Sequence, residues 1–215
     1  MRIHVPECET TQALLEPAMP EWSVATTGHQ TGGRGRLGRT WVDEPGTSLL
    51  VSVLLKPPRD PAELTLVAGV AVAQVVERAI GRPAQIKWPN DVLVDGAKVS
   101  GGIAELRDGA VVLGIGLNVN QTTHTSLKTI DGQERELEPL LDDLLATLRA
   151  RYDDWLVNGL PHDEIAARDF LRGKRISVNG LEGEVVGIRP DGRLELDTGV
   201  VDSGSVEVVR DAGVA

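Results

Sequence analysis

The chain has a single cysteine, Cys8, and four histidines that never fall close together. One cysteine excludes an internal disulfide and a cysteine-based zinc site. His4, His29, His124 and His162 form no H-x-x-x-H pair, which excludes the helical zinc-binding motif as well. Aromatic residues are scarce, at 3%, so a core has to be built from Val, Leu, Ile and Ala. No run approaches the roughly 18 apolar residues of a membrane span. The opening "MRIHVPECETT" also lacks the apolar centre of a signal peptide. A cytoplasmic protein with no membrane partner is the expectation. Positive charge is in deficit too: 22 basic against 32 acidic residues leave a net charge of -10. That balance argues against a broad nucleic-acid-binding surface.

The acidic excess has one gap. From Ser23 to Val42 there is no Asp or Glu, while Arg34, Arg36 and Arg39 cluster inside "HQTGGRGRLGRTW". Gly33, Gly35 and Gly38 in that stretch have the G-x-G-x-x-G spacing of dinucleotide-binding folds. Such a fingerprint has to open a helix and meet an acidic residue ~20 positions on, at the end of the next strand. No helix fits between Gly38 and Pro45, and Asp60 is better placed to cap the helix that follows it. A P-loop is excluded, since no G-x-x-x-x-G-K-[S/T] occurs. What remains is a glycine-hinged loop whose guanidinium groups hold carboxylate or phosphate through charge-assisted hydrogen bonds. Trp41 at its end is suited to stack on a planar group.

Coarse periodicity places this loop in an α/β frame. "RIHV" and "WSVATT" read as short strands, with a short helix in "TTQALLE" between them. "SLLVSVLLK" (48–56) reads as a buried strand. Asp60, Pro61 and Glu63 have the pattern of a helix start, and Leu64, Val67, Ala68, Ala71, Val75 and Ala79 continue it up to Gly81. "AQIKW" is a strand, and "DVLVDGAKVSGGIAEL" reads as two strands joined by an Asp95-Gly96 turn. "AVVLGIGLNVN" is another strand, one whose glycines permit close approach to its backbone. Residues 121–136 are polar and aperiodic, which suits a mobile loop. Helical spacing returns over 137–157 and in "DEIAARDFL". After Gly173, short β-prone runs alternate with Asn-Gly, Pro-Asp-Gly, Thr-Gly and Ser-Gly turns. The expected organisation is a domain over 1–172 and a small SH3-like β-barrel over 173–215.

Two further segments extend the chemistry of the arginine loop. "KWPNDVL" (87–93) presents Lys87 for a phosphate, then Asn90 and Asp91 as oxygen donors suited to a Mg²⁺ that keeps some of its waters. "KVSGGIAEL" (98–106) sets Lys98 before two glycines. Either alone reads as an ordinary turn or a solvated lysine; together with the arginine loop they form an inventory for handling anions.

These residues resemble the biotin protein ligases. That family's motifs G-R-G-R-x-G-R-x-W, K-W-P-N-D and K-[L/V]-x-G-[I/G]-[L/I]-x-E are matched by Gly33–Trp41, Lys87–Asp91 and Lys98–Glu105. "GIGLNVN" (114–120) looks like the family's adenylate-site strand. The resemblance implies an α+β, class II synthetase-like catalytic domain with a mixed sheet, followed by the SH3-like module. It implies a two-step reaction: biotin and MgATP give biotinyl-5'-AMP, and a carrier-domain lysine then takes the biotin. The acceptor would be the biotin carboxyl carrier domain of an acetyl-CoA, acyl-CoA or pyruvate carboxylase. ATP with Mg²⁺ and biotin would be used without a tightly bound prosthetic group.

By matching positions, biotin contacts carry over to Thr10, Thr11, Gln12, Gln30, Arg34, Gly35, Arg36 and Lys98, with Gly101, Gly114 and Gly116 facing the same pocket. Gln12 stands where the family usually has Asn, and Gly32 where Ala is common. Arg36, Arg39, Trp41, Lys87, Asn90 and Asn118 carry over to ATP. Arg36, Lys87, Lys98 and Asp91 are the catalytic candidates, with Asp91 also the candidate for Mg²⁺. Larger family members carry an N-terminal helix-turn-helix domain. This chain starts a few residues before Thr10, so a short form that does not bind DNA is expected, as a monomer or homodimer. The nearest rival enzyme is a lipoate–protein ligase. A catalytically silent biotin or nucleotide sensor is the rival of a different class.

Overall fold

The structure is a computed structural model and describes residues 1–57 and 61–209. Asp60, the expected helix cap, lies outside the described residues. The chain begins with β1 (Arg2–Val5) and β2 (Val24–Thr27), which pair in parallel. Next comes β3 (Ser48–Leu55), buried along its whole length as its unbroken apolar sequence requires. After α1 (Leu64–Ile80) follow β4 (Gln85–Lys87), β5 (Asp91–Val94), β6 (Ala97–Arg107) and β7 (Ala110–Asn118). These strands make one mixed seven-stranded sheet in the order β1-β2-β3-β7-β6-β5-β4, antiparallel everywhere except β1–β2.

The two faces of this sheet have different jobs, and strand alternation decides which residue serves which. On one face Val51, Val53, Leu113, Ile115, Leu117 and Val99 join a continuous core with Leu64, Val67, Val70, Ala71 and Val75 of α1. Each Val or Leu buried there contributes about 1.5–3 kcal/mol. On the opposite face the register aligns Leu50 with Gly116 and Gly116 with Gly101, then Ser52 with Gly114 and Gly114 with Ile103. Three of those six positions are glycine, so the middle of that face is a trough floored by bare backbone.

Gly81 ends α1 in the left-handed conformation (φ 67) and donates its N–H to the Glu77 carbonyl, as the sequence suggests. Glu63 does not cap the helix through its side chain; it accepts from the buried Trp155 indole instead. Asp95 and Gly96, both with positive φ, make the tight turn between β5 and β6. "TTQALLE" forms only a 3-10 turn over Thr11–Leu14, because Thr11 and Gln12 turn inward and are buried. Within the aperiodic 121–136 stretch stands α2 (Leu127–Asp131), held by a Ser126–Thr129 capping box. Then α3 (Leu137–Asn158) packs on α1, and α4 (His162–Arg168) follows.

The remaining strands are β8 (Arg175–Val178), β9 (Leu181–Ile188), β10 (Leu194–Leu196), β11 (Gly199–Val201) and β12 (Glu207–Val208). They form a second, antiparallel sheet in the order β11-β10-β9-β8-β12. Its ladder is open between β11 and β12, so the hydrogen bonding is that of an open sheet where a closed barrel was expected. Ile176, Val178, Val185 and Leu194 belong to the same continuous core as α1.

Candidate active site

The arginine-glycine stretch folds back on itself as a short ribbon. The Trp41 N–H donates to the Gly33 carbonyl at 2.9 Å and the Gly35 N–H to the Arg39 carbonyl at 2.8 Å, with Arg34 and Thr40 bridged between them. Leu37 and Gly38 turn the tip with positive φ, and Leu37 is exposed there. Gly33 is needed on steric grounds: a Cβ at that position would sit 2.5 Å from the Trp41 carbonyl oxygen. The ribbon hangs over the glycine trough, and the two border a solvent-open cleft.

Almost every expected site residue meets there. Thr10, Thr11, Gln12, Gln30, Arg34, Gly35, Arg36, Arg39, Trp41, Lys87, Asn90, Asp91, Lys98, Gly101, Gly114 and Gly116 all line this cleft. Asn118 does not. It is buried at the end of β7, where its amide donates to the Thr125 carbonyl at 2.9 Å and its Oδ1 has no partner among the described residues.

Polar contacts fix the wall behind the trough. The Gln30 Oε1 accepts from the Thr11 N–H at 2.8 Å, and the Thr11 hydroxyl lies 2.7 Å from that of Ser52. The Gln12 amide packs against Gly114, where a Cβ would come within 3.3 Å of it. On the other side, Lys98 Nζ sits 2.7 Å from Asp91 Oδ1. Asn90 donates to the Gly102 carbonyl at 3.0 Å and accepts from Arg36 at 3.4 Å. Burial pushes the Arg36 guanidinium below its ordinary pKa, partly offset by the nearby Asp91 carboxylate. A cation kept half-desolvated in a cleft interacts strongly with an incoming anion.

Trp41 lies across the floor. A Cβ on Gly116 would be 2.5 Å from its ring, and Lys98 Nζ is 5.6 Å from the ring centroid. The indole N–H is buried without a hydrogen-bond partner among the described residues. The last wall comes from far along the chain: Gly204, Ser205 and Val206 also line the cleft. Arg39 donates to the Ser205 hydroxyl, and Lys87 donates to the Val206 carbonyl at 3.4 Å. Those three residues carry no motif; the Ser203-Gly204 pair reads only as a turn.

For Mg²⁺ the cleft offers one carboxylate, Asp91, with the Asn90 amide beside it. One carboxylate is too few for an all-protein cage. It is enough for an ion that arrives on a polyphosphate with its waters.

The sequence profile of the Biotin/lipoate A/B protein ligase family matches residues 7–121. The chain belongs to that family. Its relatives include the Biotin--[acetyl-CoA-carboxylase] ligase of Mycobacterium tuberculosis, 37% identical over 206 residues, which cover 85% of this chain and 77% of that protein. Another is the Bifunctional ligase/repressor BirA of Bacillus subtilis, 31% identical over 214 residues. That match covers 88% of this chain and 66% of the relative, so the chain spans just under two thirds of its length. The biotin protein ligase of Aquifex aeolicus, in complex with biotin and ATP, superposes with a TM-score of 0.88 at 27% identity, over 98% of this chain and 99% of that one. The Leishmania major biotin protein ligase with biotinyl-5-AMP, at 20% identity and a TM-score of 0.63, shares the fold. The α+β arrangement with its mixed sheet is thus that of the ligase family's catalytic domain.

Proposed function

We propose that the protein is a biotin protein ligase. It would activate biotin with ATP to biotinyl-5'-AMP and transfer the biotin to a lysine of a biotin carrier domain of a biotin-dependent carboxylase. The observation that carries this reading is the meeting of three separate motifs, with their cations, in one cleft floored by glycine. In the first step a biotin carboxylate oxygen bonds to the α-phosphorus of ATP and pyrophosphate leaves. Two anions have to be brought together, so positive charge and positioning matter more than a base. Arg36, Lys87 and Lys98 provide the charge, and Arg39 is placed to extend it toward the nucleotide. Thr10, Thr11, Gln12 and Gln30 form the wall for biotin, with Arg34 and Gly35 above it. Gly101, Gly114 and Gly116 open the floor. Trp41 would flank the adenine. Asn118 belongs to the nucleotide side only if it becomes reachable from the cleft. Mg²⁺ would arrive with ATP, beside Asp91, and neutralise phosphate charge.

In the second step a lysine ε-amine bonds to the acyl carbon and AMP leaves. Asp91 accepts the amine's proton. Replacing Asp91 by Asn is then expected to slow transfer much more than biotinyl-5'-AMP formation, which loses only the carboxylate's help to Mg²⁺ and Lys98, read by single-turnover assays of each step. Equal loss of both steps overturns the assignment.

Residues 1–172 form the catalytic unit in this reading. The second unit, 173–215 in sequence and described to residue 209, is a small module of SH3-like type, which its antiparallel strands and the register shift at Glu195–Leu196 support. A cytoplasmic location fits a chain in which no helix of the described residues is long and apolar enough to cross a membrane. The net charge of -10 supports a role without operator binding. The deciding experiment incubates the protein with MgATP, pyrophosphatase and either biotin or lipoate, followed by mass spectrometry of the product. Biotinyl-5'-AMP is expected. A lipoyl adenylate alone would make it a lipoate ligase, and tight biotin binding without any adenylate would make it a sensor.

A further inference from the structure

The first acidic residue after the acid-free stretch is Asp43, and its side chain is fully buried. A carboxylate taken out of water has to be hydrogen-bonded. Its Oδ2 accepts from His29 Nδ1 at 2.9 Å, and its Oδ1 accepts from the Gln30 N–H at 3.4 Å. The His29 carbonyl is held in turn by the Cys8 N–H at 3.2 Å and the Thr27 hydroxyl at 3.0 Å. His29 and Asp43 therefore join the two ends of the segment whose upper rungs are Gly33–Trp41 and Gly35–Arg39. Neither residue lines the cleft. Gln30, whose backbone Asp43 holds, does line it, and its side chain fixes Thr11.

We propose that His29 and Asp43 are positioning residues that clasp the base of the arginine ribbon, an inference that rests on the ligase reading for its substrate. The clasp sets the angle at which the ribbon overhangs the trough and holds Gln30 against Thr11 on the biotin wall. The carboxylate acceptor also fixes the imidazole: with Nδ1 donating, the ring plane and the local backbone are set together. Hydrogen bonds to a buried charged group contribute more than neutral ones, so this pair holds the ribbon base better than a backbone rung.

The test compares His29→Ala and His29→Asn, with Asp43→Asn as a third variant, each checked for its thermal midpoint. His29→Ala leaves the buried Asp43 carboxylate with the Gln30 N–H alone among the described residues, so every variant is assayed well below its own thermal midpoint, and His29→Asn keeps a donor for that carboxylate. Two readouts are taken. The first is the rate of trypsin cleavage after Arg36 and Arg39 in the ligand-free protein, which requires no substrate. The second is KM for biotin against kcat in adenylate formation. His29→Ala is expected to speed cleavage and raise KM for biotin, each about tenfold, with little change in kcat. His29→Asn, whose amide nitrogen stands near the place of Nδ1, is expected to recover both to within about threefold. Asp43→Asn is expected to behave likewise, since its amide serves both partners once the imidazole tautomer switches. Unchanged cleavage and KM in His29→Ala overturns the proposal, as does failure of Asn to rescue. If the native protein forms no biotinyl-5'-AMP, the ligase reading fails while the cleavage comparison still decides the clasp.

Discussion

At the residue scale, what is missing from a side chain matters as much as what is present. Gly116 has no Cβ, and the Trp41 ring occupies the space a Cβ would take. Gly116→Ala is therefore expected to push the indole off the floor and raise KM for ATP about tenfold, since a stacking contact contributes roughly 1 kcal/mol or more. The thermal midpoint should move little. Steady-state kinetics with ATP varied at saturating biotin check this, and an unchanged KM would remove Trp41 from the nucleotide site. Most of the lining of the cleft was legible at this scale, because the arginine loop and the Lys87 and Lys98 segments occur in one chain, whereas either lysine segment alone reads as a turn. Ser205 and Val206 were not, since they reach Arg39 and Lys87 only through tertiary folding. Asp43 was equally hidden: one carboxylate in a sequence says nothing of its burial.

At the scale of elements, the long ones follow from periodicity and the short ones from local polar contacts. The helices α1 and α3, the strand β3 and the β5–β6 turn could be read directly, as apolar spacing and Asp-Gly signal them. The five-residue α2 could not, because a single turn shows no period. Its existence depends on Ser126, which accepts from the Thr129 N–H at 3.2 Å and donates to the Gln121 carbonyl at 2.7 Å. Ser126→Ala should cost about 1–2 kcal/mol in urea unfolding, the loss of a cap and of a buried hydrogen bond. A change near zero would show that the cap is dispensable.

The contact of α1 with α4 has a signature of its own. Burial alone would raise the Glu77 carboxyl, but hydrogen bonds from the Arg168 fork, at 3.0 and 2.8 Å, and from the Ala84 N–H outweigh it and hold the group below the usual carboxylate range. A carboxyl whose folded pKa is depressed adds stability above its unfolded value, near 4.5, and loses it as pH falls through the folded one. The native protein should accordingly lose stability below about pH 5 more steeply than Glu77→Gln, as followed by urea midpoints. Parallel pH profiles would show that the fork carries no net linkage.

At the scale of the whole molecule, one core runs through both sheets. Val67, Leu113, Trp155, Ile176 and Leu194 belong to a single buried cluster, so the two sequence units share their apolar interior. Unfolding in urea is expected to be one transition, with tryptophan fluorescence and far-ultraviolet circular dichroism coincident. Two separated transitions would mean that the second sheet unfolds independently. Its open ladder was not legible, since turn-rich β sequence is compatible with a closed barrel or an open sheet, and only the final pairing decides between them.

The cleft wall at Gly204–Val206 has a consequence for how the protein comes into being. A nascent chain emerges from its N-terminal end, and Thr10, the arginine ribbon and both lysines are all made well before Ser205. The biotin wall and the cations can assemble on the growing chain, but the contacts from Arg39 and Lys87 have to wait for the last strands. Chains cut short anywhere before Gly204 lack that wall however well the first sheet folds. Closing the site thus waits for the second sheet.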